Sequence, residues 1–319
     1  MDPTRRRSVL LGLVLVGGFA APAATPLHAE RWLAPGADAA RILTEHSVEC
    51  LSMAASAEDA YEIEIGRAAF RTPLTLGGQA ARAGVECETC HRNGRVNRDF
   101  DLPGLSGAPG TADVTSFLFS SHRGDHIDNP VPIPDLGGPK ASLKVSQAPG
   151  SPDLERFIHG LVTEEFDGAE PPPAVLKGLA AYVRAMSPTA CPPVGIEAVS
   201  VRSDVSDARR AVLASLAALG RGDEPTAIAM AGAARSVLGQ IAERYAAPGL
   251  EEDVRSLRVA DLDLAAAADL LRRPNAGARE ALSNWLERST EWSRSLQADE
   301  ARSYYNRETL ELAIKGAGG

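Results

Sequence analysis

Five consecutive residues constrain this chain more than anything else in it: Cys87-Glu88-Thr89-Cys90-His91. Cys-x-x-Cys-His is the pattern of covalent c-type haem attachment. Two thiols add to the two vinyl groups on one porphyrin edge, and two intervening residues let the chain bridge them. The adjacent His then falls beneath the iron and supplies the proximal nitrogen. The motif therefore predicts one covalent haem c on Cys87 and Cys90, with His91 as the metal ligand. Two other readings of a Cys-x-x-Cys pair fit less well. A redox dithiol belongs at a helix N-terminus after a strand, in a βαβ setting, and the flanking sequence has no such pattern. A zinc site needs further Cys or His at matching spacing, and Cys50 and Cys191 have none close by.

The N-terminus points to export. Arg5, Arg6 and Arg7 form a basic start, residues 9–21 are uncharged and mostly apolar, and residues 22–29 are a small-residue stretch with cleavage points after Ala29 or Ala23. That is the layout of a secretory signal peptide. As a membrane anchor the apolar run is broken by Gly17, Gly18 and Pro22, and it is shorter than the ~20 residues a span needs. The expected location is periplasmic or otherwise exported, with no membrane span in the mature chain. Removing residues 1–29 takes away three Arg and one Asp, leaving 30 basic and 41 acidic residues, a net charge of −11. Such a charge argues against nucleic acid and anionic lipid as partners.

All four cysteines and all six histidines precede residue 192. This asymmetry divides the chain into a signal peptide at 1–29, a haem domain at 30–191 and an accessory domain at 192–319. With few aromatics and much Ala and Leu, the fold class is expected to be mainly α. In the first domain, helices are expected at 57–70, at 153–161 with Ser151 as a possible N-cap, and at 173–186. Residues 72–145 read as mostly loop, and residues 130–134, with three prolines, as extended. The second domain reads as helices at 207–219, 226–246, 251–272, 276–296 and near 302–314, broken at Gly220, Pro248 and Pro274. Short connections between such helices imply an antiparallel bundle.

Gly66 and Phe70 share one helix face before the motif, and Leu179 and Tyr182 share one on the closing helix. Small-plus-aromatic facing Leu-x-x-Tyr is how class I cytochrome c domains cross their first and last helices, so residues 45–190 resemble a cytochrome c domain. More narrowly, the run Gly66-Arg67-Ala68-Ala69-Phe70-Arg71-Thr72-Pro73-Leu74, followed by Val85 to His91, resembles the N-terminal haem domain of the bacterial di-haem cytochrome c peroxidase and methylamine-utilisation maturase superfamily. The segment 180–186 is similar to that family's closing helix. The family's enzymes carry two haem motifs and this chain carries one. The resemblance thus implies a haem fold while leaving peroxidase activity without its second haem.

Candidates for a sixth iron ligand are His122, His126, His159, Met186, His46 and Met53. Two protein ligands favour electron transfer, and an open iron favours binding or peroxide chemistry. Arg92, Arg95 and Arg98 follow the motif closely and are candidates for holding haem propionates. Cys50 and Cys191 flank the domain and, in an exported chain, suggest a disulfide. Residues 192–319 contain neither His nor Cys, so they offer a docking or scaffolding role; Trp285 and Trp292, seven apart, share a helix face. The functional expectation is an exported mono-haem cytochrome exchanging electrons with a redox partner protein. The alternatives are a peroxidase-like or maturase-like enzyme with an open iron, or a haem-based sensor or assembly factor.

Overall fold

The computed structural model describes residues 26–139, 143–191, 195–273 and 277–317, and the chain is mainly helical. In order, the elements are a 3-10 turn (His28–Trp32), α1 (Ala39–Thr44), β1 (Glu45–Ser47), α2 (Ala57–Phe70), α3 (Pro73–Leu76), α4 (Gly78–Ala83), α5 (Cys87–Cys90), β2 (Thr111–Ala112), β3 (Val131–Pro132), α6 (Asp153–Gly160), α7 (Pro173–Ala185), β4 (Ile196–Ala198), α8 (Val201–Gly220), α9 (Glu224–Arg244), α10 (Glu251–Leu271), α11 (Ala278–Asp299) and α12 (Arg307–Ala317). Among the described residues, no helix is long and apolar enough to cross a membrane. Most of the expected signal peptide lies outside the described residues.

The C-terminal helices pack around one core built from Ala, Leu and Val, with Trp285 and Tyr245 as its largest members. Their caps explain their limits. Ser200 and Ser203 form a reciprocal capping pair that starts α8 six residues before the apolar periodicity suggests. Asp223 caps α9 through the Thr226 amide. The last helix starts later than its pattern suggests, because Tyr304 and Tyr305 turn inward and are buried first. The Tyr305 hydroxyl donates to Asp204 Oδ2 at 2.6 Å.

This bundle is discontinuous in sequence. Leu27 from the 3-10 turn region and Ala40 and Leu43 from α1 are buried in the same core as α8 to α12, and α1 lies against α12. Strand β1 pairs antiparallel with β4, Glu45 opposite Ala198 and Ser47 opposite Ile196. Just beyond this pair, Cys50 and Cys191 are joined by a disulfide, their Cα atoms 4.3 Å apart. Packing therefore places residues 27–47 with the bundle, and the motif-bearing region leaves and re-enters it through one narrow stem.

Within the motif-bearing region, α2 and α7 cross. Gly66 permits the approach: a Cβ there would lie 1.9 Å from the Gly178 carbonyl oxygen. Phe70 and Tyr182 fill the crossing, ring centroids 5.3 Å apart and edge to face. Helix α2 also packs on α8 and α9, so Ala214 and Met230 of the bundle join the core of Ile65, Phe70, Leu179 and Tyr182. The expected loop at 72–145 contains the short helices α3, α4 and α5, each only one or two turns long. The N-cap position of α6 is Pro152 rather than Ser151; the Ser151 hydroxyl donates to Asp153 Oδ2 at 2.9 Å and accepts from the Asp153 amide at 3.3 Å.

Candidate functional site

The motif forms α5, a single helical turn closed by the His91 amide donating to the Cys87 carbonyl at 2.9 Å. Asn97 ties the turn down, its Nδ2 donating to the Thr89 carbonyl and its amide to the Cys90 carbonyl, both at 2.9 Å. Asn93 then takes a left-handed conformation, φ 50°, and its amide donates to Glu88 Oε1 at 2.7 Å. Gly94 follows at φ 76°; a Cβ there would meet Met186 Sδ at 2.4 Å.

His91 Nδ1 lies 3.1 Å from the Pro134 carbonyl oxygen. A carbonyl only accepts, so Nδ1 carries the proton and Nε2 keeps its lone pair. Burial lowers the His91 pKa to about 4, so the ring is neutral at pH 7. A neutral imidazole fixed through one nitrogen and free at the other is the state in which histidine binds a metal. The Phe70 ring stands 6.3 Å from it, centroid to centroid.

Cys87 and Cys90 are half-buried and not bonded to each other. Cys87 touches both apolar clusters of this region, and Cys90 touches the one containing Phe100, Leu105 and Val162. Ile158 of α6 also packs on both clusters. Burial pushes both thiols up to about 12, with Glu86 adding to the effect at Cys87. A redox dithiol has a lowered thiol pKa, so this environment runs against that alternative. The thiols, the oriented imidazole and the apolar surround fit covalent haem.

Five of the six candidate sixth ligands are engaged elsewhere or fully exposed. His122 Nδ1 pairs with Asp167 at 2.9 Å and His159 Nε2 with Glu170 at 2.8 Å. Met186 is buried against Gly94, Met53 is 96% exposed, and His46 accepts from Asn93 at 2.7 Å. His126, at φ 61°, stacks near Phe117 with centroids 5.5 Å apart. None of the six is in hydrogen-bond or ring contact with His91. Among the trailing arginines, Arg95 is held by Asp135 at 2.7 Å, Arg98 is exposed, and Arg92 donates to the Ile42 carbonyl at 2.6 Å.

A second feature escaped the sequence reading. Behind α5, between it and the bundle, lies a cavity of about 260 Å³ that Arg92 lines and that none of Cys87, Cys90 and His91 lines. Its floor is a buried ion network. Glu49 accepts from Arg67 Nε at 3.0 Å, from Arg71 Nη2 at 2.9 Å and from the Tyr182 hydroxyl at 2.5 Å. Asp207 of α8 accepts from Arg67 Nη1 at 2.5 Å. Burial alone would raise Glu49, but Arg71 and Arg67, with the Tyr182 hydrogen bond, hold it at about 2. Glu86 behaves oppositely: burial and the nearby Glu88 raise it to about 8, although Gln240 Nε2 donates to it at 3.2 Å. Arg67 and Arg71 sit four apart on α2, and that spacing is the signal that could have flagged a shared polar face. Comparisons with protein-family models, characterised proteins and solved structures find no match to this chain.

Proposed function

We propose that this chain is an exported mono-haem c-type cytochrome that passes single electrons to or from a redox partner protein. The observation that carries the reading is the hydrogen bond from His91 Nδ1 to the Pro134 carbonyl, within a Cys-x-x-Cys-His turn. It leaves Nε2 free, where it would ligate the haem iron, and fixes the ring's rotation. Cys87 and Cys90 would anchor the porphyrin edge as thioethers, and the apolar neighbours of both would keep water from the haem. When bound, the haem supplies a one-electron iron couple. The α2–α7 crossing at Gly66 and Gly178 supports a cytochrome c-like arrangement around that turn. The Cys50–Cys191 disulfide is in keeping with an oxidising compartment, and the bundle offers surface for protein docking.

The test is expression in a host with c-type maturation, followed by mass and visible spectra of the purified protein. The expected result is a gain of one haem mass that survives acid–butanone extraction, lost in Cys87→Ala and Cys90→Ala, with slow peroxide turnover. Haem that extracts freely would sink the reading. A high-spin spectrum with rapid, saturable peroxide turnover would replace electron transfer with the peroxidase-like alternative.

A further inference from the structure

Four arginines, Arg67, Arg71, Arg92 and Arg244, line the cavity behind α5 together with several carboxylates. Arg67 and Arg71 are matched by Glu49 and Asp207. Arg92 and Arg244, which also line it, have no carboxylate within ion-pair distance among the described residues. Arg92 donates to the Ile42 carbonyl, and Arg244 donates to the carbonyls of Leu43 at 2.8 Å and Tyr304 at 3.2 Å. Burial lowers the Arg92 pKa, Glu88 offsets part of that, and the Arg244 guanidinium lies close enough to lower it again by repulsion. Neutral carbonyls satisfy N–H groups without pairing the charge, and the nearest carboxylates, Glu88 for Arg92 and Asp204 for Arg244, act on it only from beyond ion-pair contact.

Among the described residues, three buried polar atoms in the cavity wall make no hydrogen bond: Arg71 Nη1, His46 Nε2 and Glu88 Oε2. Arg71 is only 8% exposed. The His46 tautomer follows from its neighbours. Asn93 Oδ1 accepts from Arg71 at 2.5 Å, so Asn93 Nδ2 is the atom that meets His46 Nδ1 and donates to it. The His46 proton is therefore on Nε2, where Glu197 at 3.5 Å makes no hydrogen bond with it. Of the lining carboxylates, Glu49 and Asp207 are spent on Arg67 and Arg71, Glu243 bonds His28, Asp204 is held by Tyr305, Glu88 accepts from the Asn93 amide with Arg71 Nε 3.8 Å away, and Glu197 stands half exposed beside His46. Glu86 stays protonated up to about pH 8 and brings no charge at neutrality. Two unmatched guanidiniums with unused donors beside them form a receptor for negatively charged oxygen.

We propose that this cavity binds a small oxyanion, a carboxylate or a phosphate, between Arg92 and Arg244, with Arg71 Nη1 and His46 Nε2 as further donors. The volume suits a molecule of a few heavy atoms. The site draws one wall from the motif region and one from α8 and α9, so occupancy would also tie the two parts together. This inference does not depend on the haem reading.

The experiment is isothermal titration and thermal melting of the purified full chain with inorganic phosphate and with acetate, against chloride at equal ionic strength. Saturable binding of either oxyanion, absent with chloride, is expected; the tighter of the two assigns the ligand's head group. Arg92→Gln and Arg244→Gln should each weaken it by about tenfold or more, as loss of a charged bidentate donor does. His46→Gln, a gentler change, should weaken it less, and Arg95→Gln, whose partner Asp135 lies outside the cavity, should leave it unchanged. Response to phosphate and acetate no greater than to chloride would overturn the proposal, as would equal loss in Arg95→Gln.

Discussion

Gly66 and Gly178 meet backbone to backbone where α2 crosses α7, with no room for a single methyl group between them. Gly66→Ala should therefore destabilise the folded chain by about 3 kcal/mol or more, since overpacking a rigid crossing forces backbone movement. Gly239→Ala on α9, where a Cβ meets nothing within 4 Å, should instead stabilise by about 0.5–1 kcal/mol through better helix propensity. Urea denaturation of the two variants checks both signs. Equal effects would refute the close approach.

Glu49 links acid stability to the same crossing. Its pKa is depressed in the fold to about 2, so its contribution is complete above its ordinary value near 4.5 and is lost as pH falls from there through about 2. Glu49→Gln removes the anion while leaving Arg67 and Arg71 buried, which should cost about 3 kcal/mol at pH 7. Between pH 4.5 and 2 the variant's stability should fall less steeply than that of the parent. Chemical denaturation across that range measures the two slopes, and parallel slopes would count against the assignment.

Glu86 predicts the opposite alkaline behaviour. Its folded pKa is raised to about 8, so the fold binds a proton that the unfolded chain releases near 4.5. Stability from this group is greatest below 4.5 and declines as pH rises toward 8. Glu86→Gln keeps a hydrogen-bonding partner for Gln240 and should melt at a higher temperature than the parent at pH 8–9, with the gap closing at pH 5.

The Cys50–Cys191 bridge spans 141 residues of chain. Loop-closure arguments assign such a bridge up to about 5 kcal/mol, with smaller values usual in practice. Alkylation of the denatured, unreduced protein should label neither residue. Cys50→Ala with Cys191→Ala should lower the melting temperature and leave the haem attachment proposed at Cys87 and Cys90 intact.

The proposed export gives a cleavage point that is open to direct reading. Leu27 is 4% exposed within the bundle core, and His28 pairs with Glu243. Cleavage after Ala29 would discard both, whereas cleavage after Ala23 keeps them. Terminal sequencing of the chain recovered from an exporting host should begin at Ala24; a start at Glu30 would mean that the Leu27 contacts are dispensable.

The motif, the helices and the disulfide partners were readable in the chain because each rests on local pattern or on a small census of cysteines. Helix α2 matches its expected limits, 57–70, since its apolar face and its Ser56 cap agree. The capping serines of α8 and the inward turn of Tyr304 and Tyr305 shifted other ends by several residues. What local pattern could not show was which distant segments share a core. Nothing in residues 39–44 says that α1 belongs with α12. The cavity was hidden for the same reason: Arg71, His46, Arg92 and Arg244 are scattered over some 200 residues and become one site only through the stem at β1 and β4. The Pro134 carbonyl beside His91 lies 43 positions along the chain, beyond any spacing rule.

That stem also orders the events of synthesis. A chain made from its N-terminus presents Leu27 and α1 long before α8 to α12 exist, so these early segments have no core to enter and must wait. The stretch from Cys50 to Cys191 faces no such delay for its own crossing: once Cys191 has emerged, α2, α5 and α7 are all present and the ring can be sealed. The motif-bearing ring can thus close first, and the bundle then assembles around its two adjoining ends, clasping early and late segments together as the last step.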